Sequence, residues 1–198
     1  MSADQAVTPR ALPPQQQQRR ARILEAARDL ASSGGFDGVQ MRDVAETAEV
    51  ALGTLYRYFP SKVHLLVGLM LSETIRMADR LEERPVEGDT AAERVSNALM
   101  RGIRALQRDP KLTEAMTRAL MFADGSAAAE VHAVTDLTTK SLIAAMRGPD
   151  RAPTDDDLAI ARVIEQVWLS SMLAWLSGRS SIEQLTDDIE VAARLLLR

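Results

Sequence analysis

The chain has 198 residues, 46% of them apolar, and no cysteine. It can therefore bury a core of its own, while a disulfide framework, a zinc–thiolate site and a thiol nucleophile are excluded. The net charge of −4 argues against a uniformly basic nucleic-acid binder, but residues 1–62 alone balance to +1 and leave −5 on the remainder. That asymmetry permits a phosphate-facing surface at the N-terminal end without demanding one.

Ala, Leu, Arg and Glu dominate and aromatic residues make up only 4%, a composition that favours helix over strand. No apolar run approaches the roughly 18 residues that span a bilayer. The first residues lack the charged-then-apolar order of a signal peptide. A soluble, cytoplasmic protein with no membrane partner is expected.

Residues 1–18 carry Pro13-Pro14 and a run of four glutamines with almost no large apolar side chains, which reads as a flexible arm. Arg19, Arg20 and Arg22 follow it and would suit a DNA minor groove or simply a solvated tail. Ile23, Leu24, Ala27, Leu30 and Ala31 then recur at helical spacing, and Ser32-Ser33-Gly34-Gly35 should end that helix. Two short apolar segments, Met41–Ala48 and Leu52–Phe59, are separated by a few residues around Glu49. Pro60-Ser61 breaks the chain, and Ser61 can cap a long helix from Lys62 to about Glu83, where Pro85 and Gly88 stop it.

Further caps mark the rest. Thr90 with Glu93, and Ser181 with Gln184, have capping-box spacing. Asp109-Pro110 sets a cap beside an N1 proline, and Ser126 and Thr154 precede two more helical runs separated at Gly148-Pro149. The expected fold is all-α with about nine helices. It divides into an arm (1–18), a segment of short helices (19–62) and a longer helical remainder (63–198).

The two short helices across a tight bend form a helix-turn-helix pattern, whose second helix can enter a major groove. On that helix Gly53, Thr54, Arg57 and Tyr58 face away from the apolar side formed by Val50, Leu55 and Phe59. Gly53 lets a backbone approach closely. Thr54 and Tyr58 can bond base edges or phosphates, and Tyr56 and Lys62 suit phosphates at the groove's rim. Arg42 has the fork geometry for a guanine edge or a phosphate. A helical hairpin with a merely solvated polar face would show the same pattern.

The run Gly53-Thr-Leu-Tyr-Arg-Tyr-Phe-Pro-Ser-Lys62 resembles the most characteristic segment of the TetR family of transcriptional regulators. The resemblance implies a homodimer on a palindromic double-stranded DNA operator, with an effector pocket in the C-terminal helices and a cytoplasmic, nucleoid-associated location. Three positions depart from the family pattern. Glu49 stands where a turn glycine is usual, and Ala51 and Gln40 replace helix caps, each lost cap costing about 0.5–2 kcal/mol. A narrower resemblance, to family members that regulate sterol catabolism, runs through 112–119, 122–124, 161–164, 167–170 and 173–176. It implies a coenzyme A thioester of a sterol-derived acid as effector. A multidrug or fatty-acyl-CoA sensor is the alternative within the family, and a helical lipid-binding module without DNA affinity the alternative outside it.

Met100, Ile103, Met116, Leu120, Met121, Phe122, Leu142 and Met146, with Trp168, Met172 and Trp175, form an apolar set that could line an elongated pocket or simply be core. Arg101, Arg104 and Arg108 could meet phosphates at its mouth or form a solvated face. Leu169, Leu173, Leu176, Leu185, Ile189, Ala193 and Leu196 supply apolar stripes for a four-helix dimer interface, or for packing within one chain. The two histidines, His64 and His132, are far apart in sequence and have no histidine, cysteine or glutamate at i+3 or i+4, and no Gly-rich loop fits a phosphate cradle. No enzyme activity, metal or cofactor is expected.

Overall fold

A computed structural model describes residues 13–148 and 151–197. Nine α helices and no strand occur among the described residues. They are α1 (Pro14–Gly38), α2 (Met41–Thr47), α3 (Leu52–Tyr58), α4 (Lys62–Glu83), α5 (Ala91–Gln107), α6 (Pro110–Met121), α7 (Ala128–Arg147), α8 (Asp155–Leu176) and α9 (Ile182–Leu196). A single 3₁₀ turn, Gly125–Ala127, precedes α7.

Helix α1 begins earlier than its apolar periodicity suggests. Pro14 occupies its first turn and the glutamines continue it, so 14–18 of the expected arm are helical, whereas 1–12 lie outside the described residues. Proline's fixed φ is preorganised for a first turn, and glutamine costs a helix little. Helical geometry breaks at Gly35 (φ 63°), within the Ser-Ser-Gly-Gly signal, and one further turn runs on to Gly38.

Most caps are where the side chains place them. Ser61, Thr90, Asp109 and Ser181 each accept a hydrogen bond from a first-turn N–H, and Thr90 and Glu93 complete a capping box. The Ser181 box is only half made, because Gln184 turns its amide to Asp188 instead. At Ser126 the cap is Asp124, which accepts from the Ser126 N–H and hydroxyl and so starts the 3₁₀ turn rather than α7. Gln40 and Ala51 make no side-chain cap, as the missing Ser or Thr implies.

The apolar side chains collect into two clusters. The first joins α1–α4, with Ile23, Val44, Leu55, Phe59, Leu65 and Leu66 fully or almost fully buried, and is completed by Leu112, Ala115, Met116 and Ala119 of α6. The second is made by α5, α7, α8 and α9 around Val95, Leu99, Leu142, Ile164, Leu185 and Ile189. None of the described helices is long and apolar enough to cross a membrane.

Helix α8 starts with a complete Thr154–Asp157 capping box, and the Asp157 carboxylate is also bound by Arg147 at the end of α7. The Arg147 guanidinium, helped by the Thr154 N–H and hydroxyl, holds this carboxyl at a pKa of about 2, below its ordinary 3.8. A depressed carboxyl pKa stabilises the fold above the unfolded value and loses that contribution as pH falls through the folded one. Unfolding free energy should therefore decline between pH 4 and pH 2. Asp157→Asn should lower stability at pH 7 by about 1.5–3 kcal/mol and flatten that part of the curve; denaturant titrations at stepped pH read both.

Candidate DNA interface and effector cavity

Helices α2 and α3 meet across residues 48–51. The bend is made by Glu49, whose φ of 52° is left-handed, a region that disfavours any residue with a Cβ. Val44, Ala45, Ala48 and Leu55 fix the pair to α1 and α4, which leaves the opposite side of α3 outward. Arg42, Gly53, Tyr56 and Arg57 are exposed there, and no atom lies within 4 Å of where a Gly53 Cβ would stand. Thr54 and Tyr58 are half-buried, and Tyr58 leans on the first core.

Lys62 is placed differently from the phosphate contact expected of it. Its ammonium donates to the Phe36 carbonyl at 3.0 Å and lies 4.2 Å from the centre of the Phe36 ring. It ties α4 to the last turn of α1, beyond the break at Gly35. Arg20 likewise lies over the Phe59 ring, at 5.4 Å, while Arg22 is exposed on α1.

The same turn is grasped from α6, an arrangement not anticipated from the sequence. Lys111 donates to the Ser33 carbonyl at 2.7 Å, and the Phe36 N–H donates to Glu114 at 2.9 Å. Arg118 pairs with Asp37 at 2.9 Å and stacks near Phe36 and Phe122. Gly35 suits this place because its φ of 63° is one that side chains rarely adopt, and a Cβ on it would stand 2.9 Å from the Glu114 carboxylate and displace it. The available signal was the i, i+3, i+7 spacing of Lys111, Glu114 and Arg118, which puts three charges on one helical face.

Behind α6 lies a cavity of about 270 Å³ bounded by α4, α5, α6, α7 and α8. Of the expected lining, Met116, Leu120, Leu142, Trp168 and Met172 reach it. Ile103 and Met146 are instead packed into the second core, with Met100 and Trp175 against it. Met121, one residue past the inward Leu120, and Phe122, the residue that caps α6, point outward, 63% and 60% exposed. Arg101, Arg104 and Arg108 are also outside the lining, with Arg101 bonded to the Arg84 carbonyl.

Met70, Met77 and Leu81 of α4, none of them among the expected lining, also border the cavity. Gly102 leaves room for Trp168, whose ring would stand 3.3 Å from an added Cβ. The polar lining includes Thr74, Thr113, Thr117, Thr135, Thr138, Ser141, Glu73 and Glu165. Glu73 is paired with Arg28 and with Arg76. Burial pushes the Glu165 carboxyl up from its ordinary value, against the Thr139 hydroxyl bonded to it.

The expected dimer stripe divides. Leu185, Ile189 and Ala193 are sealed inside the second core and have no surface left for a partner. Leu173, Leu176 and Leu196 are half-buried, and Leu169 is 40% exposed while also touching the cavity. Leu158 and Val163 on α8 and Val191 and Leu195 on α9 are the large apolar side chains left outward there. His64 bonds the Ser61 hydroxyl at 2.9 Å, and no group of three or more potential metal ligands occurs among the described residues.

The profile of bacterial regulatory proteins of the tetR family matches residues 23–69, and that of the tetracyclin repressor-like C-terminal domain matches 88–196. The HTH-type transcriptional repressor KstR of Rhodococcus jostii is 53% identical over 182 residues, 92% of this chain and 84% of that protein. A TetR transcriptional regulator from Rhodococcus sp. RHA1 superposes with a TM-score of 0.85 at 36% identity, over 92% of this chain and 97% of its own. The TetR-family repressor FadR of Thermus thermophilus, solved with lauroyl-CoA, has the same fold, with a TM-score of 0.71 at 23% identity over 90% and 93% of the two chains.

Glu49 carries a conformational cost of roughly 1–2 kcal/mol that glycine would not, partly offset because glycine has more entropy to lose. Glu49→Gly should therefore raise unfolding free energy by about 0.5–1 kcal/mol, measured by chemical denaturation with the helix content unchanged.

Proposed function

The chain belongs to the TetR family of bacterial regulators, and from that we propose that it is a homodimeric repressor that leaves a palindromic operator when an apolar thioester fills its cavity. The observation that carries the sensing half is helix α6. Its Thr113, Met116, Thr117 and Leu120 line the cavity, while its Lys111, Glu114 and Arg118 hold the 33–37 turn of the DNA-binding helices. A ligand that displaces the lining side chains must move the surface on which that turn rests. Helix α4 offers a second route, with Met70 and Met77 on the cavity and Leu65, Leu66 and Leu69 in the first core.

Repression without effector is the sign that follows. A ligand shifts an equilibrium only by its differential affinity for the two states. The operator-bound state needs both recognition helices in major grooves about one helical turn, or a small multiple of it, apart. The outward Leu158, Val163, Leu169, Val191 and Leu195 of α8 and α9 are the surface proposed to join the protomers and so fix that spacing. An acyl-CoA effector is supported by the lauroyl-CoA held by the Thermus protein of the same fold. A sterol-derived acid is supported by the likeness to the KstR repressors, at 48–53% identity.

Anisotropy titrations on DNA from upstream of the chain's own gene test this reading. Binding should be tight and steeply salt-dependent, and released by a sterol-derived acyl-CoA but not by free coenzyme A. Arg42→Ala should cost about 1–3 kcal/mol if Arg42 reads a base, and Arg57→Ala should reduce the salt slope by about one if it meets a phosphate. Operator binding indifferent to every thioester would remove the effector assignment, and no preference over random DNA would remove the repressor.

A further inference from the structure

The seam between α1 and α4 holds four charges that the DNA interface does not use. Arg28 of α1 reaches across to Glu73 of α4. The joined atoms, Arg28 Nη2 and Glu73 Oε1, are closed to solvent, as is Arg28 Nε. Burial pulls the Arg28 guanidinium below its ordinary pKa, and the charge of Arg76 acts in the same sense. An arginine stays charged all the same, so the bridge is ionic. Glu73 also forms part of the α4 wall of the cavity, between Met70 and Met77. One end of the bridge thus stands on the cavity and the other in the DNA-binding unit.

Both members have a second partner on their own helix. Arg28 Nε stands 3.7 Å from Glu25 Oε2, one turn earlier on α1. Glu73 Oε1 stands 3.4 Å from Arg76 Nη1, one turn later on α4. Breaking a buried pair is costly when it strands a charge. Parting α1 from α4 at this point strands neither, because Arg28 keeps Glu25 and Glu73 keeps Arg76. The four charges therefore have two complete arrangements, one joined across the helices and one closed within each helix. Exchange of ion pairs at a packed seam is a recurrent basis of two-state switching.

We propose that the Arg28–Glu73 bridge is a latch that biases the effector-free chain toward its operator-competent state, with Glu25 and Arg76 taking over the two charges when it opens. The proposal rests on the reading of the cavity as an effector site, and it makes Glu73 a positioning residue of that site. A ligand that displaces Met70 and Met77 acts on the same turns of α4 that carry Glu73, and so shears the bridge against α1. The clasp from α6 passes movement to the DNA-binding helices, whereas the latch fixes the resting balance between the two states.

The test uses the full-length protein and a sterol-derived acyl-CoA, with affinity measured by calorimetry in the absence of operator. Apparent affinity for a ligand of the minor state scales with the population of that state. Glu73→Gln and Arg28→Gln each leave the surviving charge a partner on its own helix. Each should tighten thioester binding by about five- to fiftyfold, and less thioester should then release the operator. Arg28 is not on the cavity lining, so its variant separates the latch from direct contact with the ligand. The double variant should gain no more than either single one. Glu25→Gln removes the partner that receives Arg28 and should weaken thioester binding by about two- to fivefold.

A bridge that merely holds the fold together predicts the opposite sign for the first two variants. Unchanged or weaker binding in Arg28→Gln, tighter binding in Glu25→Gln, or additive gains in the double variant would overturn the proposal. Should no thioester bind the unaltered chain, the effector class proposed above fails by itself. The latch is then read from amide hydrogen exchange of α1 in the effector-free chain. Faster exchange in Glu73→Gln with slower exchange in Glu25→Gln supports it, and equal rates refute it.

Discussion

Helix α6 has two obligations that no other short helix in the molecule shares. Leu112, Ala115, Met116 and Ala119 close the core of the DNA-binding helices, and Thr113, Met116, Thr117 and Leu120 close the cavity. Met116 does both. Interiors are close-packed, so a side chain displaced on one side of such a helix is felt on the other. The ionic and hydrogen-bonded clasp from Lys111, Glu114 and Arg118 to the turn at 33–37 adds direction to that coupling, because it grips backbone carbonyl and N–H groups as well as the Asp37 side chain. Lys62 completes the grip from α4 by bonding the Phe36 carbonyl.

The DNA-binding unit is held firmly where it meets the body and weakly where it would meet DNA. Neither α2 nor α3 has a side-chain cap, and the bend between them rests on a left-handed glutamate. Seven-residue helices have little stability of their own and depend on packing. Val44, Ala45, Leu55 and Phe59 provide that packing. Local economy in the caps is tolerable when four buried anchors hold so short a segment, and it leaves the outward face of α3 free of internal bonds that DNA would have to break.

Helix type and helix number were legible because the apolar spacing and the caps agree, as at Ser61, Thr90 and Asp109. The start of α1 was not, because Pro13-Pro14 and a glutamine run carry no apolar period, yet a helix can begin there. The outward face of α3 was readable at Gly53 and Arg57 but not at Tyr58, which leans on the first core. Lys62 was not, since a lysine beside a DNA-binding helix suits phosphate equally well, and only the fold brings Phe36 beneath it. Periodicity also cannot say which of two cores a stripe serves. That is why Ile103 and Met146 pass for cavity lining, and Leu185 and Ile189 for an interface, although all four are closed within the second core. The α6 clasp joins residues whose separation in sequence is far beyond any local signal.

The proposed release from the operator depends on energetic coupling through α6. The decisive measurement is the ratio of thioester affinities of the operator-free and operator-bound protein, taken for the unaltered chain and for a Lys111→Ala/Glu114→Ala/Arg118→Ala variant. Linkage requires the operator to weaken thioester binding by the factor with which the thioester weakens operator binding, commonly about 5–150-fold. All three altered side chains lie outside the buried core, so affinity of the free variant for thioester should be retained while the ratio falls toward one. A ratio that survives loss of the clasp would contradict a route through α6 and would place the coupling in α4 instead.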